Sequence, residues 1–118
     1  MTNLETGFDS FHPIAGKKEE LGSLSDNTDI DVQGLINVFE CKPTDDITID
    51  AEEVGKPGQI IHLMVEGGEN KTLTMGDNFI AEGTLGTGDT SDRMFVLTFV
   101  SDGNLFYEVS RTSAMDIS

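Results

Sequence analysis

The segment "DIDVQGLINVFE", residues 29 to 40, carries oxygen-bearing side chains at the spacing of a calcium loop. Asp29, Asp31, Gln33, Gly34, Ile36 and Glu40 stand at positions 1, 3, 5, 6, 8 and 12 of the twelve-residue EF-hand pattern, in which alternate oxygens ligate the ion, a glycine makes the sharp turn and the last glutamate binds through both oxygens. That loop works only between two helices. Pro43 and the turn-like "PTDD" close the chain within three residues of Glu40, and "GSLSDNTD" is a poor end for an entering helix. The segment therefore reads as an acidic turn entering a strand. Two looser carboxylate sets, Asp26, Asp29 and Asp31 in "DNTDID" and Asp89 and Asp92 in "GDTSD", are candidate ligands for weakly held Ca2+ or Mg2+. Solvated loops are the favoured reading of both.

Other reactive side chains form no recognisable constellation. His12 and His62 are far apart, and a lone histidine in an apolar strand such as "IIHLM" is more often a packing residue than a ligand. Cys41, the single cysteine, ends an apolar stretch just before Pro43 and reads as a buried, inert thiol. Adjacent carboxylates, Asp45-Asp46 and Glu52-Glu53, are what chance supplies in a chain with 22 Asp and Glu, and glycosidase chemistry needs a cleft around such a pair. "GTLGTG" lacks the following lysine and helix of a phosphate loop, and no GxSxG occurs. No catalytic residues, no enzymatic activity and no required cofactor are expected.

The elements that hold these residues follow from composition and pattern. A chain of 118 residues with 36% hydrophobic and 25% charged residues is one domain with a real core. Its net charge of −15 would be repelled by phosphate backbones and anionic lipid, so neither nucleic acid nor a membrane is an expected partner. The start "MTNLETGFDSF" has neither a basic region nor an apolar one, so no secretory signal is expected there. Residues 1 to 34 are polar with sparse apolar anchors and read as an extended N-terminal arm, with one short helical turn at "KKEEL". Its Phe8, Phe11 and Ile14 are the candidate partner-binding anchors, each able to contribute about 1.5 to 3 kcal/mol if buried.

From Leu35 onward the signals are those of strands. "LINVFECK", "DITID", "QIIHLMVE", "KTLTM" and "FIAEGTL" are β-branched or alternating and are separated by Gly-rich turns. "GGEN" between two of them reads as a hairpin connection. In "QIIHLMVE", Ile61, Leu63 and Val65 share one face and Ile60, His62 and Met64 the other, so both faces should be partly covered. "RMFVLTFV" behaves in the same way, and with "SDGN" and "LFYEVS" it makes a β-hairpin in which Gly103 supplies the positive φ. A strand with no plain solvent face implies a sandwich or an intermolecular interface. The expected fold is all-β: a small β-sandwich or barrel-like domain over residues 35–118, behind the arm of residues 1–34.

Residues 45 to 114 carry a resemblance. Gly58, Ile61 and Leu63, then Thr72 to Thr74, then Asp102, Gly103, Glu108, Val109, Ser110 and Arg111 stand where the C-terminal β-modules of tailed-bacteriophage virion proteins have a "G-x-x-I-x-L" strand, a threonine-flanked strand and a closing "D-G-x-x-W-x-E-V-S-R" hairpin. The chain resembles those modules, of the capsid-decoration and tail-fibre kinds, although Phe106 stands where they usually have Trp. The resemblance implies a trimeric virion structural protein, made in the host cytoplasm. It would be a decoration or cement protein that binds the major capsid protein, or another virion protein, and bridges neighbouring subunits. Two other classes compete. An acidic DNA-mimic inhibitor would need carboxylates arrayed over one face, and a cation-dependent carbohydrate-binding module would want more exposed aromatics than 7% aromatic content offers.

Overall fold

A computed structural model describes residues 17–118, which form eleven strands and no helix. The first six strands are β1 (Lys17–Leu24), β2 (Thr28–Ile30), β3 (Ile36–Pro43), β4 (Ile47–Ala51), β5 (Ile60–Glu66) and β6 (Thr72–Met75). Odd and even strands go to different sheets. β1, β3 and β5 pair in parallel in one, with Lys17 beside Asn37 and Ile36 beside Ile60, while β2, β4 and β6 pair in parallel in the other, with Thr28 beside Ile49 and Ile47 beside Leu73. Each coil of chain thus lays one strand on each sheet and returns alongside the previous coil. This is a β-solenoid-like arrangement, and the expected sandwich or barrel is corrected accordingly; the all-β class stands.

The coil order breaks after β6. β7 (Phe79–Ile80), β8 (Leu85–Gly86), β9 (Arg93–Ser101), β10 (Phe106–Arg111) and β11 (Met115–Asp116) complete a seven-stranded sheet, ordered β1-β3-β5-β9-β10-β7 with β11 also on β9, and a four-stranded sheet ordered β2-β4-β6-β8. β9 joins β5 antiparallel and hairpins into β10, and β8 joins β6 antiparallel, so the C-terminal end of the solenoid is closed by reversed strands. Four residues, 102–105, make the hairpin loop. Asp102 Oδ1 accepts the amides of Asn104 and Leu105 at 2.8 and 2.9 Å, and Gly103 adopts φ +94°.

The N-terminal coil differs from expectation. Residues 17–24 and 28–30, read from sequence as part of the arm, are strands β1 and β2, and "KKEEL" is extended, not helical. Lys, Glu and Leu are good helix formers, but intrinsic propensity yields to tertiary context, and pairing along β3 overrides it. The rest of the arm, with Phe8, Phe11, His12 and Ile14, lies outside the described residues.

The core lies between the two sheets. Ile61, Leu63, Val65, Leu97, Phe99 and Phe106 from the larger sheet meet Ile49 and Leu73 from the smaller, all of them essentially sealed from water. The Phe79 ring stands edge-on to Phe99 at 4.9 Å and stacks on Phe106 at 5.2 Å, which seals the closing hairpin. Asn37 is one of the buried polar residues, with Gln59, Thr87 and Ser101. Its Oδ1 accepts the Gly34 amide at 2.9 Å, and its Nδ2 donates to the carbonyls of Gly34 (2.8 Å) and Ile60 (3.1 Å), tying the loop before β3 to the next coil.

Candidate functional site

The carboxylates singled out as cation ligands are not brought together. Asp26, Asp29, Asp31, Asp89 and Asp92 are all exposed, and Asp31 takes the Gln33 amide at 2.6 Å. No group of three or more His, Cys, Asp or Glu side chains placed to hold a metal occurs among the described residues. The calcium-loop spacing of residues 29–40 is laid out along the end of β2, a connecting loop and β3, where Glu40 pairs with Lys18 at 3.0 Å.

Other acidic side chains hold turns. Asp50 accepts the amides of Ala51 (2.9 Å), Asn78 (3.0 Å) and Asp77 (3.2 Å), fixing the loop after β6 against β4. Asp46 accepts the Thr72 amide at 2.9 Å. Among buried polar side-chain atoms of the described residues, every one has a hydrogen-bond partner. The Cys41 thiol is buried, and burial, with the nearby Glu40 charge, pushes its pKa up to about 12, which keeps it protonated and unreactive.

Glu108 and Arg111 make a clamp that sequence reading did not find. Their side chains bond twice, Arg111 Nε to Glu108 Oε2 at 2.7 Å and Nη2 to Oε1 at 2.9 Å. Glu108 Oε1 also accepts the Glu82 amide, and Arg111 donates to the carbonyls of Thr84 and Gly83, so one ion pair fastens the β7–β8 connection to β10. Burial alone would raise the Glu108 pKa; the Arg111 hydrogen bonds, the Glu82 amide and the Arg111 charge together outweigh it and hold this carboxyl below the usual glutamate range. In sequence, only the three-residue spacing of Glu108 and Arg111 hints at this.

What remains is a surface. Inward residues of β3, β5 and β9 alternate with outward ones that are only half-buried, and strand register aligns the outward set in rows. Ile36, Ile60, Val100 and Tyr107 form one row; Val38, His62 and Thr98 a second; Glu40, Met64 and Val96 a third. Tyr107 is 40% exposed, and Val109, next to it on β10, is 59% exposed. His62 Nδ1 and Thr98 Oγ1 lie 3.0 Å apart, so the histidine packs within this face against Thr98. The charged side chains here are Lys18, Lys42, Glu20, Glu40, Glu66 and, at the margin, Glu69, a net of −2 on a chain carrying −15. They lie along one margin, where Lys18 pairs with Glu20 and Glu40 while Lys42 lies within 3.9 Å of Glu66 and Glu69. Sequence reading located the two-faced strands that build this surface. The charge balance needed the register.

Compared with known proteins, the chain matches no family model, no curated sequence and no solved structure.

Proposed function

We propose that the chain is a structural protein of a bacteriophage virion, of the capsid decoration or cement kind, which works by binding and performs no chemistry. The observation that carries the reading is the outward face of the seven-stranded sheet: broad, half-apolar and low in charge, on a scaffold whose buried polar side-chain atoms, among the described residues, all have hydrogen-bond partners. A face of this kind suits assembly better than capture of a small substrate, which calls for a concave pocket with converging polar groups; its charged margin borders an open recess of about 220 Å3 lined by Glu20, Glu40, Lys42 and Glu66. The recessed space of about 290 Å3 beside Asp31, Glu53 and Lys56 is open and lined by side chains of turns.

The virion assignment draws on the resemblance of residues 45 to 114, a stretch that runs from β4 in the second coil through the third coil and the closing hairpin. Phe8, Phe11 and Ile14 are the proposed anchors on the major capsid protein, and many copies attached side by side would turn weak single contacts into firm attachment. A DNA mimic is less well supported, because the carboxylates are dispersed among turns such as 45–46, 52–53 and 89–92 and do not array over one face.

The test is sedimentation of purified protein with capsids of the virus that encodes it. Saturable binding that raises the capsids' resistance to heat, and that is lost when residues 1–16 are removed, is the expected result. No binding to the capsids, together with inhibition of a DNA-processing enzyme, would overturn the reading in favour of the mimic.

A further inference from the structure

The geometry points to a second copy of this chain as the occupant of the seven-stranded sheet's outward face, packed face to face about a two-fold axis. The inference rests on reading that face as an assembly surface; it does not depend on attachment to a virion.

Charge selects the occupant. Two chains of −15 repel each other over most of their surfaces, and the outward face, with a net of −2 confined to one margin, is where like chains can meet at the least electrostatic cost. A basic partner would gain nothing there and would be drawn to the acidic turns. The marginal charges suit a copy as well. Lys18 and Lys42 lie among Glu20, Glu40, Glu66 and Glu69 along one side of the face and are paired within the chain, so the margin adds little repulsion when copies meet.

Shape and size agree. Four strands spaced about 4.8 Å apart, each showing some six residues at about 3.3 Å, give a flat patch on the order of 400 Å2. That lies within the roughly 300 to 600 Å2 of the largest patches on monomers, which are often functional. Exposed Leu35 and Val109 lie beside it and extend the apolar surface. Face-to-face sheets pack about 10 Å apart with interdigitating side chains, and Ile36, Ile60, Met64, Val96 and Val100 are of the type that does so.

The alternative route to self-association, edge to edge, is obstructed at β1. Its exposed Lys18, Glu19 and Glu20 charge the edge, Glu19 sits at an inward register position beside Phe39, and a register shift between Glu20 and Gly22 twists the strand. These are the devices by which proteins prevent strand addition. The outward face carries no such device at its centre.

The two-fold pair differs from the trimer that the resemblance implies, and mass decides between them. Sedimentation equilibrium of the full chain at sub-millimolar concentration is the experiment, with Met64→Lys and Val100→Asp as variants and Asp45→Asn as a control. The expected result is a mass of two chains that falls to one chain in both variants and is unchanged in the control, with circular dichroism showing all four proteins folded. Because the two variants bring opposite charges, loss in both reports burial of the face and not the sign of a nearby field. Association should also tighten several-fold as salt shortens the screening length from about 30 Å at 0.01 M to about 8 Å at 0.15 M. A monomer at every concentration, a mass of three chains, or a pair that survives both variants would overturn the inference. A pair without capsid binding would leave this inference standing and remove the virion reading; capsid binding by a monomer would do the reverse.

Discussion

Replacing Arg111 by Met should be among the most damaging single changes in the closing hairpin. Glu108 is almost sealed, with its side chain 1% exposed, while the Arg111 side chain is 21% exposed. Arg111→Met leaves the Glu108 carboxylate buried with the Glu82 amide as its remaining donor and strips two carbonyls, those of Gly83 and Thr84, of their guanidinium partner. Breaking a fully buried pair by removing one partner costs about 3 to 5 kcal/mol. Because the arginine end is partly solvated, the expected loss is about 2 to 3 kcal/mol, read from urea unfolding followed by far-ultraviolet circular dichroism. The pH dependence has a definite sign. The Glu108 carboxyl is held below its ordinary value in the folded chain, so its contribution is complete above the unfolded pKa of about 4.3 and is lost as pH falls through the lower folded value. The gap between the parent chain and Arg111→Met should therefore narrow in acid. Changing both residues, with Glu108→Leu added, should recover part of the loss because no uncompensated charge remains. A single-variant loss under about 0.5 kcal/mol, or a gap that stays constant from neutral pH into strong acid, would refute this account.

Three further outcomes are expected. Asn37→Ala should lower stability by about 1 to 2 kcal/mol in the same urea assay, since it leaves the Gly34 amide without its side-chain acceptor, while the Gly34 carbonyl keeps the Gln59 side-chain amide as a donor. Cys41 should react with an aromatic disulfide reagent at mildly alkaline pH only as fast as the chain opens, and at the rate of an ordinary thiol in denaturant; fast labelling of the folded chain would contradict its burial and raised pKa. Gly55→Ala should destabilise by about 1 to 3 kcal/mol, because a Cβ there would overlap the Phe106 ring and crowd Ser101 Oγ, and it should loosen amide-exchange protection in β10 ahead of β3.

Strand content was legible because it depends on local alternation. Ile61, Leu63 and Val65 on one face of "QIIHLMVE", and Phe95, Leu97 and Phe99 on one face of "RMFVLTFV", are the buried sets, and the positive φ of Gly103 was readable from "SDGN". The solenoid was not legible, because its pairings join residues a whole coil apart. "GGEN" between β5 and β6 has the composition of a hairpin turn, yet β6 crosses to the other sheet and pairs with β4. Coils of unequal length, 20 residues between Lys17 and Asn37 but 24 between Ile36 and Ile60, leave no fixed period in the sequence. "KKEEL" was misread for a related reason, since a strand at the start of the first coil gains its order from β3 and shows no pattern of its own.

The two ends of the solenoid explain why its flank is the surface left for assembly. A stack of parallel coils can grow at either end unless something stops it. At the C-terminal end β9 and β10 reverse direction, and the edge strands there, β7 and β8, are two residues long. At the other end β1 is eight residues long, but charge, an acidic residue at an inward position and a register shift make it a poor template. Among the described residues, the apolar rows across β3, β5, β9 and β10 lie on the flank of the stack, away from these end strands. Their exposure is tolerable in a chain of −15, whose self-repulsion keeps it dispersed at low salt, and it becomes useful when salt or a surface brings copies together.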